Sequence, residues 1–197
     1  MEGFLISVGV VAIAEIGDKT QLLALMLAAR YRAPVSILLG ILLATMLNHG
    51  LAAGFGAMIA NWIGADAMRY ILGVSFLAMA AWTLVPDKAD DGPAVTRRTS
   101  AFLATLVSFF LVEIGDKTQI ATIALAAQLQ SIAVVAAGTT IGMMLANFPA
   151  VYAGRFASTR LPLRMIRIVA AALFAALGIA ALLGLGAGII SPAPNPT

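Results

Sequence analysis

The sequence predicts an all-α, polytopic membrane protein with six transmembrane helices arranged as two inverted three-helix repeats. Three observations carry that expectation. First, 61% of the residues are hydrophobic and only 11% are charged, with a mean hydropathy of +1.00, whereas soluble domains carry roughly twice that charged fraction. Second, apolar runs of about 20 residues alternate with short polar breaks, the length a helix needs to cross a bilayer. Barrel strands would be shorter and would alternate polar with apolar residues. Third, the heptapeptide Glu15-Ile16-Gly17-Asp18-Lys19-Thr20-Gln21 returns letter for letter as Glu113-Ile114-Gly115-Asp116-Lys117-Thr118-Gln119.

The elements follow in order. The N-terminus has no basic leader and the first apolar run lacks an Ala-x-Ala exit, so the first segment reads as a retained helix. It covers about 4–29 and is interrupted by the polar heptapeptide; Arg30, Tyr31, Arg32 and Pro34 make the first turn. The second helix spans about 35–60, and 61–66 is an interfacial break before the third helix at about 68–85. Residues 86–100 form a hydrophilic linker containing Asp87, Lys88, Asp90, Asp91, Arg97 and Arg98, whose composition marks the boundary between halves. The fourth helix runs over about 101–127, the fifth over 132–152 and the sixth over 165–185. A basic loop with Arg155, Arg160 and Arg164 precedes the sixth, and 191–197 is a disordered tail. The first repeat is therefore 1–85 and the second is 101–190.

Similarity between the halves extends past the heptapeptides. At the same 98-residue offset, Arg69 matches Arg167, Phe76 matches Phe174, and Ala80 matches Gly178. In the middle helices an offset one larger pairs Asn48 with Asn147 and leaves His49 opposite Phe148. An odd number of helices per half forces opposite insertion, so the two motifs approach the midplane from opposite sides, a plan recurrent among transporters. Basic residues set the orientation. Arg30, Arg32, Lys88, Arg97, Arg98, Arg155, Arg160, Arg164 and Arg167 fall on one side and Arg69 on the other. The first, third and fifth loops are then cytoplasmic and both termini lie outside, in a cell inner membrane. The net charge of +3 follows this topology and forms no stripe for nucleic acid. With no cysteine there are no disulfides and no thiolate metal site.

Ionisable groups at membrane depth are costly and mark function by default. On a continuous helix, Glu15, Asp18 and Lys19 would share one broad face, Thr20 would point away and Gln21 would return near Asp18. The same holds for Glu113, Asp116, Lys117, Thr118 and Gln119. Gly17 and Gly115 allow either a close approach by the other motif or local unwinding that frees carbonyl oxygens as ligands. Four carboxylates and two ammoniums leave a charge of −2 if all are ionised, which one divalent cation neutralises. The donors are all oxygen: Glu15, Asp18, Glu113, Asp116, the amides of Gln21, Gln119, Asn48 and Asn147, hydroxyls and backbone carbonyls. Such donors suit calcium, magnesium or manganese. The same carboxylates can take up protons when the metal leaves, which makes metal and proton binding mutually exclusive. Lys19 and Lys117 are expected either to pair with Glu15 and Glu113 when no cation is bound or to snorkel. No catalytic nucleophile, activated water or cofactor is implied, and the chain is not expected to be an enzyme.

The doubled Glu-x-Gly-Asp-Lys/Arg-Thr/Ser signature, on the first and fourth of six helices, resembles the family of cation–proton exchangers that includes the Golgi calcium/manganese transporters of eukaryotes and small bacterial manganese exporters. The resemblance covers nearly the whole chain. It implies export of manganese or calcium from the cytoplasm against protons, with Glu15, Asp18, Glu113 and Asp116 as the acidic residues and Lys19, Thr20, Lys117 and Thr118 completing the signatures. The partners expected are therefore a divalent metal ion, protons and the lipid bilayer; a homo-oligomer is compatible with the sequence.

Blander readings stand beside this one. The heptapeptides could be internal ion pairs that fix helix packing, although buried pairs are weak stabilisers and leave the surplus negative charge unexplained. Asn48 and Asn147 could be interhelical hydrogen-bond glue, and the glycines of the later helices close-packing positions. His49 reads as a satisfied interior histidine. Thr45, Thr139 and Thr140 are expected to bond to their own helix backbones. Trp62, Trp82, Tyr31, Tyr70 and Tyr152 fall near helix ends, where aromatic belts form. Rival functions are a cation channel, an exporter of an organic cation or amino acid, and a membrane scaffold.

Overall fold

The computed structural model describes residues 1–63, 65–85, 100–153 and 163–184. The hydrophilic linker with Lys88, Arg97 and Arg98, the basic loop with Arg155 and Arg160, and the tail 191–197 lie outside the described residues, as do the side chains of Arg69, Arg164 and Arg167. The described elements are α1 (Glu2–Glu15), α2 (Lys19–Tyr31), α3 (Pro34–Trp62), α4 (Ala65–Thr83), α5 (Ala101–Glu113), α6 (Lys117–Leu129), α7 (Ile132–Ala153) and α8 (Leu163–Leu182). Four of the expected helices are continuous, within a few residues of their expected ends. The other two are each split in two at the heptapeptide. End to end, α1 and α2 contain 14 and 13 residues, about 40 Å of helix at ~1.5 Å per residue, which exceeds the ~30 Å hydrocarbon core.

Local chemistry sets these boundaries. Pro34 opens α3, where its missing N–H costs nothing. Ser100 caps α5 by accepting from the Leu103 amide at 3.3 Å. Arg32 and Gln130 end α2 and α6 in the left-handed region, at φ 52° and 49°, and return their N–H groups to Ala28 and Ala126. Apolar stretches of α3 (Pro34–Ala60) and α7 (Ile132–Tyr152) are long enough to cross a membrane. Leu39, Leu43, Leu51 and Phe55 of α3 and Leu145 and Phe148 of α7 are exposed, an outer face suited to lipid. Trp62, Trp82, Tyr70 and Tyr152 are exposed near helix ends, as an interfacial belt requires.

Packing pairs elements from different halves of the chain. α1 lies on α7 as α5 lies on α3, α6 packs on α3 as α2 packs on α7, and α4 packs on α8. Phe76 of α4 stacks on Phe174 of α8 with ring centroids 6.2 Å apart. Gly73 and Gly178 bring the same two helices together; a Cβ on Gly178 would lie 2.9 Å from the Gly73 carbonyl oxygen.

Two glycines establish the register of the middle helices. A Cβ on Gly40 would sit 2.7 Å from Thr105 Cβ and 2.9 Å from the Phe102 carbonyl oxygen. On Gly138 it would sit 2.7 Å from Ser7 Cβ and 2.9 Å from the Phe4 carbonyl oxygen. Each of these residues lies 98 positions from its counterpart. The offset therefore does not slip: Asn48 corresponds to Ala146, and Asn147 corresponds to His49. Matching the asparagines by identity displaced the alignment by one residue, whereas close helix contact at the glycines sets it. Gly138→Ala is expected to destabilise the protein by about 1–3 kcal/mol through overpacking against a backbone carbonyl. The check is the thermal unfolding midpoint of purified protein in detergent, and an unchanged midpoint would contradict the α1–α7 approach.

A candidate cation centre between two broken helices

Each heptapeptide is a turn between two half-helices. Glu15 ends α1, Ile16 has φ −64° and ψ 116°, Gly17 has φ +81°, and Asp18 is the N-cap of α2. In the second copy Ile114 has φ −62° and ψ 119°, Gly115 has φ +78°, and Asp116 caps α6. The Asp18 amide donates to the Glu15 carbonyl at 3.0 Å and the Asp116 amide to the Glu113 carbonyl at 3.1 Å. These are the dihedrals and hydrogen bond of a type II turn, whose third position requires a positive φ and hence favours glycine. The expectation of one continuous helical face is thereby corrected: the carboxylates converge because the helix is interrupted between them.

The other motif residues hold this geometry. The Gly17 amide donates to Gln21 Oε1 at 2.9 Å and the Gly115 amide to Gln119 Oε1 at 2.7 Å. Gln21 Nε2 also donates to the Ala146 carbonyl on α7 at 2.9 Å, tying the turn to the other half of the chain. Thr20 does not point away as the helical projection required. Its hydroxyl donates to Glu15 Oε2 at 2.5 Å, and Thr118 donates to Glu113 Oε2 at 3.2 Å.

The four carboxylates are sealed from the exterior, with Glu15 and Glu113 at 0% exposure, Asp18 at 1% and Asp116 at 2%. Carboxylate oxygens of Glu15, Glu113 and Asp116 lie within 4.8 Å of one another. At that separation and an effective dielectric near 20, each pair would repel by about 3 kcal/mol if ionised. Oε1 of both Glu15 and Glu113 is buried without a hydrogen-bond partner. Concentrated negative charge with free lone pairs is a setting that a cation relieves. The lysines are not paired with the glutamates of their own motifs, as expected from sequence. They cross over: Lys19 Nζ lies 3.0 Å from Asp116 Oδ1, and Lys117 Nζ lies 2.5 Å from Asp18 Oδ1. A lysine four residues after its glutamate is directed elsewhere once the turn intervenes.

Around this centre the remaining candidates divide. Asn48 Nδ2 donates to the Phe110 carbonyl at 3.0 Å, three residues before Glu113, which is the interhelical glue role. Asn147 Nδ2 bonds within its own helix, to the Met143 carbonyl and Sδ, both at 3.1 Å, while its Oδ1 has no hydrogen-bond partner. Thr139 bonds back to Val135 at 2.8 Å as expected. Thr45 and Thr140 do not, since neither buried hydroxyl has a hydrogen-bond partner. His49 is fully buried and neither ring nitrogen is hydrogen-bonded, so it is not the satisfied interior histidine expected from sequence. The signal that would have singled it out is its place opposite Asn147, visible once Gly40 and Gly138 are aligned.

Long apolar helices, an exterior rich in exposed apolar side chains and half-helices meeting at a buried polar centre define a multi-pass helical membrane protein. The profile of one family, described as divalent cation/proton antiporter GDT1, matches residues 3–91 and 101–187. The chain belongs to this GDT1 family. It is 49% identical over 176 residues to a Vibrio cholerae serotype O1 protein named "Putative manganese exporter", covering 89% of this chain and 88% of the relative. It is 30% identical to GDT1-like protein 3 of Arabidopsis thaliana over 85% of this chain and 66% of that protein. It is 29% identical to GDT1-like protein 3 of Oryza sativa subsp. indica, over 85% of this chain and 69% of that protein. No solved structure matches the chain. Family and fold together make it a secondary transporter that moves a divalent cation across a membrane, not an enzyme.

Proposed function

We propose that this chain exports Mn2+ from the cytoplasm in exchange for protons, with Glu15, Glu113 and Asp116 as the central ligands and Asp18 as a fourth acidic residue. The observation that carries the reading is the meeting of three buried carboxylates, two of them from one half and one from the other, within 4.8 Å at two helix breaks. Cation and protons would use the same oxygens alternately, which is the minimum requirement for exchange. The threonines hold each glutamate, the turn glycines place each aspartate, and the glutamines brace the turns. The name of the Vibrio cholerae relative supports manganese as cargo. The all-oxygen donor set favours calcium as the second reading.

In this proposal the chain crosses an inner membrane six times. Residues 1–85 and 101–190 form inverted repeats joined by the cytoplasmic linker 86–100, with both termini outside. The matching contacts 98 residues apart and the family profile's division into 3–91 and 101–187 support the repeat. The half-helices would cross the centre while the continuous helices rock around it.

Purified protein in proteoliposomes, with Mn2+ or Ca2+ on one side and an imposed pH gradient, tests substrate and coupling together. Saturable Mn2+ flux accompanied by opposite proton flux is expected. Metal flux that never saturates and ignores the pH gradient would indicate a channel. Metal-competed flux of an organic ammonium would indicate the organic-cation reading. Absence of any flux would leave the scaffold reading.

A further inference from the structure

The two motifs are identical in sequence but not in setting. Lys117 is 2% exposed where it meets Asp18, whereas Lys19 is 20% exposed where it meets Asp116. The aspartates differ too: Asp116 shares its carboxylate with the triplet that includes Glu15 and Glu113, and Asp18 lies outside that triplet. We propose that Lys19 is a displaceable counter-cation that holds Asp116 until a divalent cation enters the triplet, while Lys117 stays on Asp18 as a fixed strut between the halves. The inference rests on the exchanger reading and extends it, by naming what the cargo competes with.

The argument is one of charge and room. A divalent cation bound by Glu15, Glu113 and Asp116 would share Asp116 with an ammonium 3.0 Å from Oδ1. Like charges that close, away from bulk water, repel strongly, so one of them leaves. A lysine ammonium rides on a flexible four-carbon stem and can withdraw to a wetter place. Lys19 is partly exposed and has room to withdraw, whereas Lys117 is enclosed. Lys19 would thus neutralise Asp116 between cargoes while Glu15 and Glu113 take up the exchanged protons, and the strength of that internal competitor would set the affinity for cargo.

The test is equilibrium Mn2+ binding to purified full-length protein in detergent at fixed pH. Lys19→Gln is expected to bind Mn2+ about tenfold tighter than wild type, a step of about one decade in Kd, and Lys19→Arg, which keeps the competing charge, is expected to stay near wild type. Equal or weaker binding by Lys19→Gln with an unchanged thermal midpoint would overturn the inference. A second measurement uses the wild-type protein alone, with mass spectrometry after brief treatment by an amine-reactive reagent. Mn2+ is expected to raise labelling of Lys19 several-fold and to leave Lys117 unlabelled. Labelling of Lys19 that is unchanged or slowed by Mn2+ would overturn the inference even if the glutamine variant fails to fold. Wild-type protein that binds neither Mn2+ nor Ca2+ would instead overturn the exchanger reading, and this inference with it.

Discussion

Asp116→Asn is expected to lower cation–proton exchange at least about 100-fold while the protein still inserts and purifies as wild type does. Asparagine matches aspartate in size, and the Asp116 side chain makes no capping hydrogen bond that would be lost, so α6 can begin at Lys117 as before. What disappears is the charge. Asp116 is the one residue that both belongs to the carboxylate triplet and receives an ammonium from the other half of the chain. Changes to groups that merely support a metal ligand already cost ~10–100-fold in affinity or activity; losing a charged ligand should cost more. The measurement is initial Mn2+ flux in proteoliposomes at equal protein incorporation. Flux within a factor of a few of wild type would remove Asp116 from the cation path.

The all-α class and the approximate placement of the apolar helices were legible because lipid imposes a simple rule: apolar runs of spanning length must be helices. The doubled heptapeptide was equally legible, since charge inside such a run has few explanations. What the sequence concealed was the conformation of the motif itself. Read as a continuous helix, Glu15, Asp18 and Lys19 share a face and Thr20 leaves it. With Gly17 at φ +81°, Thr20 instead bonds to Glu15 and Lys19 reaches Asp116. The clue was present in Glu-Ile-Gly-Asp, a sequence with glycine where a type II turn needs it, but glycine in membrane helices also serves close packing. Spacing alone does not separate the two.

The middle helices show a second limit. Asn48 and Asn147 invite alignment because they are identical, yet packing equates Asn147 with His49. Polar identity is a weak register signal where one polar residue can replace another at the same depth. A glycine wedged against a neighbouring carbonyl is a strong one, because a Cβ has nowhere to go. The crossed lysine pairs were not legible at all, since they depend on how two turns face each other and leave no mark on the spacing within either.

Those crossed pairs lead to the other large expected effect, on stability. Lys117→Met should destabilise the protein by about 3–5 kcal/mol, because it removes the ammonium that lies 2.5 Å from the buried Asp18 carboxylate. Asp18→Asn combined with Lys117→Met should recover most of that loss, since the double change removes the charge along with its partner. Lys19→Met, at a pair with one side chain 20% exposed, should cost much less. The carboxylates are buried alike, so the difference lies in the lysines: Lys19 is 20% exposed at its pair, and Lys117 is 2% exposed at the other. The comparison is made on purified proteins by denaturant titration or thermal midpoint, and it is a coupling measurement, so it does not depend on any absolute stability. If the single Lys117→Met variant is as stable as the double variant, the Asp18 pair carries no structural load. The strut between halves would then have to be sought in Gln21 and its bond to the Ala146 carbonyl.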